Sequence, residues 1–138
     1  MLAGEAIAAL LPHAGKMVLL ERVTAWDRSE ITCLTGSHRD RDNPLRRGGR
    51  LSCLCGVEFG AQAMALHGAL VAGGPSRSGV LASLKNIRCH VERLDDIGGD
   101  LRVSAKTLFS QRDRFIYEFS LWSAQTPLLD GQAAVFLG

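Results

Sequence analysis

"GVEFGAQAMALHGAL", residues 56–70, decides the fold. From Leu51 to Ala72 the only formal charge is Glu58, and Gly56, Gly60, Ala61, Ala63, Ala65, Gly68, Ala69 and Ala72 leave little bulk on any face. A run that long is too long for a strand. Its Ala, Leu and Met content predicts one helix from Ser52 to about Val71, closed by the breaker "AGGPSRSG" at residues 72–79. Apolar on most sides and thin enough for close backbone approach, it is expected to be buried on most sides.

The chain around it suits a single domain spanning residues 1–138: 46% of the residues are hydrophobic, enough for a core of its own. A net charge of +2, without interleaved aromatic and basic residues, argues against nucleic acid as a partner. The apolar opening "MLAGEAIAALLPH" has no basic n-region, carries Glu5 and breaks at Pro12, so it does not read as a signal peptide. Ser52, Gln62, His67 and three glycines make the 51–72 run a poor membrane span, and the expectation is a cytoplasmic protein. Cys33, Cys53, Cys55 and Cys89 form no CxxC pair and no zinc-finger spacing, which predicts reduced, buried cysteines and no metal.

Outward from the helix the pattern is mostly strand. A turn or two of helix is expected near residues 3–10. "MVLLERVTAW" (17–26) and "EITCLTG" (30–36) read as a hairpin across "WDRSE", followed by the polar, exposed loop "SHRDRDNPLRRGGR" (37–50). After the helix come "VLASLKNIRCHV" (80–91), "LRVSAKTLFS" (101–110), "RFIYEFSLWS" (114–123) and "PLLDGQAAVFL" (127–137). In the second of these Leu101, Val103, Ala105, Thr107 and Phe109 alternate onto one face. "DDIGGD" and "SQRDR" supply turns, so the later strands can form an antiparallel meander. The expectation is α+β: a strongly curved antiparallel sheet wrapped around one central helix, its exposed remainder covered by a second sheet of the same kind.

Three stretches carry a resemblance. "LPHAGKMVLLERV" (11–23) resembles the Leu-Pro-His opening of the hot-dog-fold 3-hydroxyacyl-acyl-carrier-protein dehydratases, with Lys16 where a proline is usual and Glu21 in place of an aspartate. "GVEFGAQAMA" (56–65) is similar to the family's helix motif, in the Gly-Val/Ile-Glu-x-x-Ala-Gln form of a compact branch of dehydratases associated with aryl-polyene-type pigment clusters. "LASLKNIRCHV" and "GGDLRVSAKTL" are similar to the strand after that helix and the following Gly-Asp-x-Leu hairpin. Together they cover nearly the whole chain in family order. The resemblance implies a hot-dog fold and dehydration of a 3-hydroxyacyl thioester. It also implies an acyl-carrier protein as partner, with no cofactor beyond the carrier's phosphopantetheine arm, and assembly as a homodimer or a heterodimer with a dehydratase paralogue.

That reaction needs a base for the proton beside the carbonyl, an acid for the leaving hydroxyl, and N–H donors for the enolate-like oxygen. By the resemblance Glu58 takes the place of the catalytic acid. Burial favours its neutral form and the helix N-terminus its charged form, while as a bare residue it is also explained as a first-turn acid on the helix dipole. Backbone N–H groups around Cys55, Gly56 and Val57 are the candidate donors, making Gly56 and Val57 candidate substrate-binding residues. Gln62, one turn after Glu58, either orients it or satisfies a buried strand carbonyl. The family's Gly-His-Phe-Pro histidine would stand fourteen residues before Glu58, where this chain has Pro44. His13 and His38 are the substitutes: His13 is either the base or a structural residue beside the site, and His38 either reaches the helix start or remains a loop histidine. His67 and His90 are given no catalytic role. Arg46, Arg47 and Arg50 are candidates for carrier-protein binding, because a basic patch attracts an acidic partner; a plain solvated loop is the other reading. The missing histidine leaves two rivals to a self-sufficient dehydratase: a partner subunit of an active paralogue, and a hot-dog thioesterase.

Overall fold

The computed structural model describes residues 2–74 and 79–137. Seven antiparallel strands form one sheet in the order β1-β2-β3-β5-β6-β7-β4. They are β1 (Leu2–Ala3), β2 (Arg22–Trp26), β3 (Glu30–Thr35), β4 (Gly79–Cys89), β5 (Leu101–Gln111), β6 (Arg114–Ser123) and β7 (Thr126–Leu137). A short helix α1 (Glu5–Leu10) precedes β2, and the long helix α2 (Gly56–Ala72) lies against β3, β5 and β6. This is the hot-dog architecture the resemblance implies.

The inner face of the sheet supplies the core. Ile31 and Cys33 of β3, Leu101, Val103 and Ala105 of β5, and Tyr117, Phe119 and Leu121 of β6 are buried against Phe59, Ala63, Met64 and Leu66 of α2. Their alternation is the period of two that half-buried strands require. Gly60 explains how close the approach is: a Cβ there would stand 2.5 Å from the Phe119 ring. α2 ends at Gly73, whose φ of 79° is the left-handed conformation that lets its amide reach back to the Ala69 and Leu70 carbonyls. Pro75–Ser78, the second half of the expected breaker, lie outside the described residues. By length and composition Cys53–Ala72 could cross a membrane. Half of that stretch is buried, and it is the core helix of this fold.

Several expectations shift. The first hairpin strand begins at Arg22, not Met17: Gly15–Met17 form a 3₁₀ turn, and the extended residues after it bond to α2 and β3 instead of pairing as sheet. Phe109 is 42% exposed and its neighbour Leu108 is exposed too, so the inward alternation ends where a β-bulge shifts the register between Thr107 and Phe109. The helical run does start where expected, just after Ser52, but its first turn, Cys53–Cys55, is 3₁₀, with the Leu54 amide bonded to the Ser52 hydroxyl. Only Cys33 and Cys53 of the cysteines are buried; Cys55 is half-buried and Cys89 exposed.

Candidate active site

Glu58 and His13, forty-five residues apart, meet: His13 Nε2 lies 3.0 Å from Glu58 Oε1. Local chemistry sets up both sides. Pro12 forbids continuation of α1, so Leu11 turns extended, plugs into the core and turns His13 toward α2. On α2, Glu58 follows the buried Gly56 and precedes the buried Phe59, on the half-exposed flank of the helix. Side chains of His13 and Glu58 are 24% and 34% exposed, enough shelter to strengthen the contact and enough opening for a ligand to reach it. One proton must lie between the two atoms. His13 Nδ1 is buried without a hydrogen-bond partner among the described residues.

Gln62, one turn further along α2, holds the other end of the same ribbon. Its Nε2 donates to the Met17 carbonyl at 2.5 Å and its Oε1 accepts from the Leu19 amide at 2.8 Å. Both functions of the amide are used on backbone, so Gln62 fixes the 13–19 segment instead of bonding Glu58. Thr35 and Ser37 hydroxyls complete that anchorage by donating to the Leu19 carbonyl at 2.6 and 2.7 Å.

Two of the three expected backbone donors, the Cys55 and Gly56 amides, are engaged in the helix start. Cys55 N donates to Ser52 O, and Gly56 N to the Cys53 and Leu54 carbonyls, because the 3₁₀ turn extends the helical bonding upstream. Gly56 is buried, and a Cβ there would lie 3.0 Å from Leu121 and Leu129, so packing is what the glycine serves. Val57 is half-buried against the core.

His38 belongs elsewhere. Fully buried in the 3₁₀ turn Ser37–Arg39, its Nε2 meets the Ile97 carbonyl at 3.0 Å and so ties the arginine loop to the 91–100 segment. Burial pushes its imidazole below the usual value, with Arg39 adding to this, which keeps it neutral. The arginine loop is therefore not wholly solvated: Asn43 is buried too, and Arg46 is folded in, donating to the His38 and Gly49 carbonyls. Arg47 and Arg50 are exposed. They line a cleft of about 240 Å³ at the start of α2 with Leu45, Ser52, Cys55, Glu92 and Arg93. Arg93 was invisible to sequence reasoning, being brought beside the loop only by the Ser52–Arg93 bridge. His67 is structural, bonding the Tyr117 hydroxyl and the Asp27 carbonyl at 2.8 Å each. No cluster of three metal-ligating side chains occurs among the described residues.

A family model described as ApeP-like, ApeP dehydratase, matches residues 5–137. The chain belongs to the ApeP-like dehydratase family. Among solved structures it is similar to the dehydratase heterocomplex ApeI:P from Xenorhabdus doucetiae, at 24% identity over 96% of this chain and 90% of that one, with a TM-score of 0.83. Two others share the fold at 13% identity. One is the uncharacterised protein PH1136 from Pyrococcus horikoshii (TM-score 0.66, 100% and 95% covered). The other is a hypothetical thioesterase with coenzyme A from Streptococcus pneumoniae (TM-score 0.62, 85% and 84% covered). No curated protein matches the sequence. As a member of the ApeP-like family this chain is a dehydratase, and Glu58, which His13 meets, lies in the part of α2 that carries the family-like motif.

Proposed function

We propose that His13 and Glu58 together remove water from a 3-hydroxyacyl thioester carried on an acyl-carrier protein, leaving the 2-enoyl product of a polyene-type synthesis. The observation that carries this reading is the 3.0 Å contact between His13 Nε2 and Glu58 Oε1. His13 as base takes the proton next to the thioester carbonyl, and Glu58 as acid protonates the departing hydroxyl. Each turnover then leaves imidazolium facing carboxylate. Return of the proton from His13 to Glu58 across the same contact resets both groups, so no other residue is needed to recycle it. The reading calls for no metal and no cofactor beyond the carrier's phosphopantetheine arm, and the exposed Arg47 and Arg50 would draw in the acidic carrier.

The subunit is read as half of an assembly with a second dehydratase subunit, as in the ApeI:P heterocomplex. Leu81 and Leu84 on the edge strand β4 and Val71 near the end of α2 are apolar and well exposed in the single chain, and a partner would cover them. The test uses purified protein with a 3-hydroxyacyl carrier substrate, alone and with a co-expressed dehydratase paralogue. The 2-enoyl carrier is expected. Free acid with free thiol would mean a thioesterase, and turnover by the pair that survives loss of both His13 and Glu58 would mean a non-catalytic partner.

A further inference from the structure

Four large apolar side chains, Trp26, Leu108, Phe109 and Phe136, are each 42 to 47% exposed at one end of the sheet. Strand pairing brings them there. Trp26 closes β2 at the turn into β3, and that turn is held against β5 by the Thr107 amide, which donates to the Ser29 carbonyl at 2.8 Å. Leu108 and Phe109 stand just before the β5–β6 turn, and Arg114 just after it is paired with Phe136 of β7, its guanidinium 5.8 Å from the ring centre. A subunit covering Leu81 and Leu84 does not account for this end. β5 is separated from the free edge strand by β6 and β7, so at a strand spacing of about 4.8 Å its tip lies roughly 14 Å from that edge.

Shape and charge indicate what does. Trp26 pairs with the buried Ile31, whereas Phe109 pairs with Ile116, which alternates with the buried Tyr117, so the apolar groups belong to both faces of the sheet. They crown protruding turns and offer no single flat face to another protein. The two turns carry Arg28, Arg112 and Arg114 against Asp27 and Asp113, and the Asp27 carboxylate is turned onto the Ser29 amide, the Ser29 hydroxyl and the Glu30 amide. Glu30 itself stands opposite Lys106. Aromatic and leucine side chains on turn tips, ringed by arginines, fit the boundary between lipid headgroups and acyl chains.

We propose that this end of the molecule rests on an anionic lipid bilayer, with Trp26, Leu108, Phe109 and Phe136 entering the headgroup region and Arg28, Arg112 and Arg114 meeting lipid phosphates. The contact is peripheral and independent of the dehydration chemistry. α2 runs toward the bilayer, from Gly56 packed on Leu121 and Leu129 to His67 bonded to the Asp27 carbonyl. Glu58 thus lies about 20 Å from the helix end at Ala72, by the helical rise, and the site stays open to water.

The experiment floats the full chain on a sucrose gradient with vesicles of phosphatidylcholine alone or mixed with phosphatidylglycerol. The chain should float with the mixed vesicles and not with phosphatidylcholine alone, and added salt should release it. Tryptophan emission should move to shorter wavelength on binding, a shift lost in Trp26→Phe. Leu108→Ser with Phe109→Ser, both at exposed positions, should abolish flotation with circular dichroism and thermal midpoint unchanged. Arg112→Gln and Arg114→Gln should each weaken binding about fivefold. No flotation with the mixed vesicles, or flotation unchanged by the serine pair, would overturn the proposal. So would lipid-free self-association that the serine pair abolishes, since a second copy would then cover this end.

Discussion

Glu58 and His13 share one contact, and shared contacts make mutations non-additive. Glu58→Gln and His13→Gln are each expected to lower the dehydration rate by roughly a hundred- to ten-thousand-fold, the usual worth of positioned acid–base groups, with the far-ultraviolet circular dichroism unchanged. The double variant should be little slower than either single one; losses that multiply would separate the two residues functionally. Gln62 acts at one remove. Gln62→Leu strands the Met17 carbonyl and the Leu19 amide in a buried place, at a cost of about 1–3 kcal/mol per unsatisfied group before relaxation, read by urea unfolding. Since the freed ribbon carries His13, its rate should fall while stability-matched core variants keep theirs. His38 shows why a histidine cannot be judged from spacing alone: its position in a polar loop suggested freedom, and its ring is bonded to Ile97 with no exposed surface.

α2 works as a spine because its small residues let the sheet come close. Gly60→Ala would push a methyl into Phe119, a ring packed by the opposite wall, and overpacking of that kind costs about 1–3 kcal/mol. Thermal unfolding should show the loss, and the same change at Gly68, where a Cβ meets nothing within 4 Å, should be neutral or stabilising. The helix and the later strands were legible in sequence because their periods are strong and local. What was not legible were breaks in those periods. The β-bulge after Thr107, where the inward alternation ends, and the 3₁₀ turn that delays β2 to Arg22 both answer to cross-strand pairing or to partners far along the chain.

The molecule is clamped where its site begins. Asp95, on the segment after β4, accepts from the Leu51 amide at 2.8 Å and from Arg93 on both oxygens. The Arg93 guanidinium, assisted by that amide, holds the Asp95 carboxyl well below the usual carboxylate range. Because the folded carboxyl is the stronger acid, its contribution is complete above the unfolded value, about pH 4, and is lost as pH falls toward the folded one. Denaturant midpoints should therefore decline in acid below about pH 4, and Asp95→Asn should flatten part of that decline while lowering stability at neutral pH. The uncovered leucines of β4 set the other expectation. Leu84→Asp should leave the isolated subunit folded and reduce co-purification with its paralogue, and an intact complex would move the interface elsewhere.

Residue order was enough for the α+β class, the buried helix, the strand sequence and the identity of Glu58 as the one acid in an apolar run. These depend on local periodicity and composition, which a linear chain displays. Only the folded arrangement brought His13, and not His38, to Glu58 and gave Gln62 to the backbone. Each of those depends on which distant segment arrives within 3 Å or so of a side chain, and that distance is fixed by strand register and helix packing across the whole sheet. "GVEFGAQ" thus announces an acid that needs a partner; the turn after α1 supplies it.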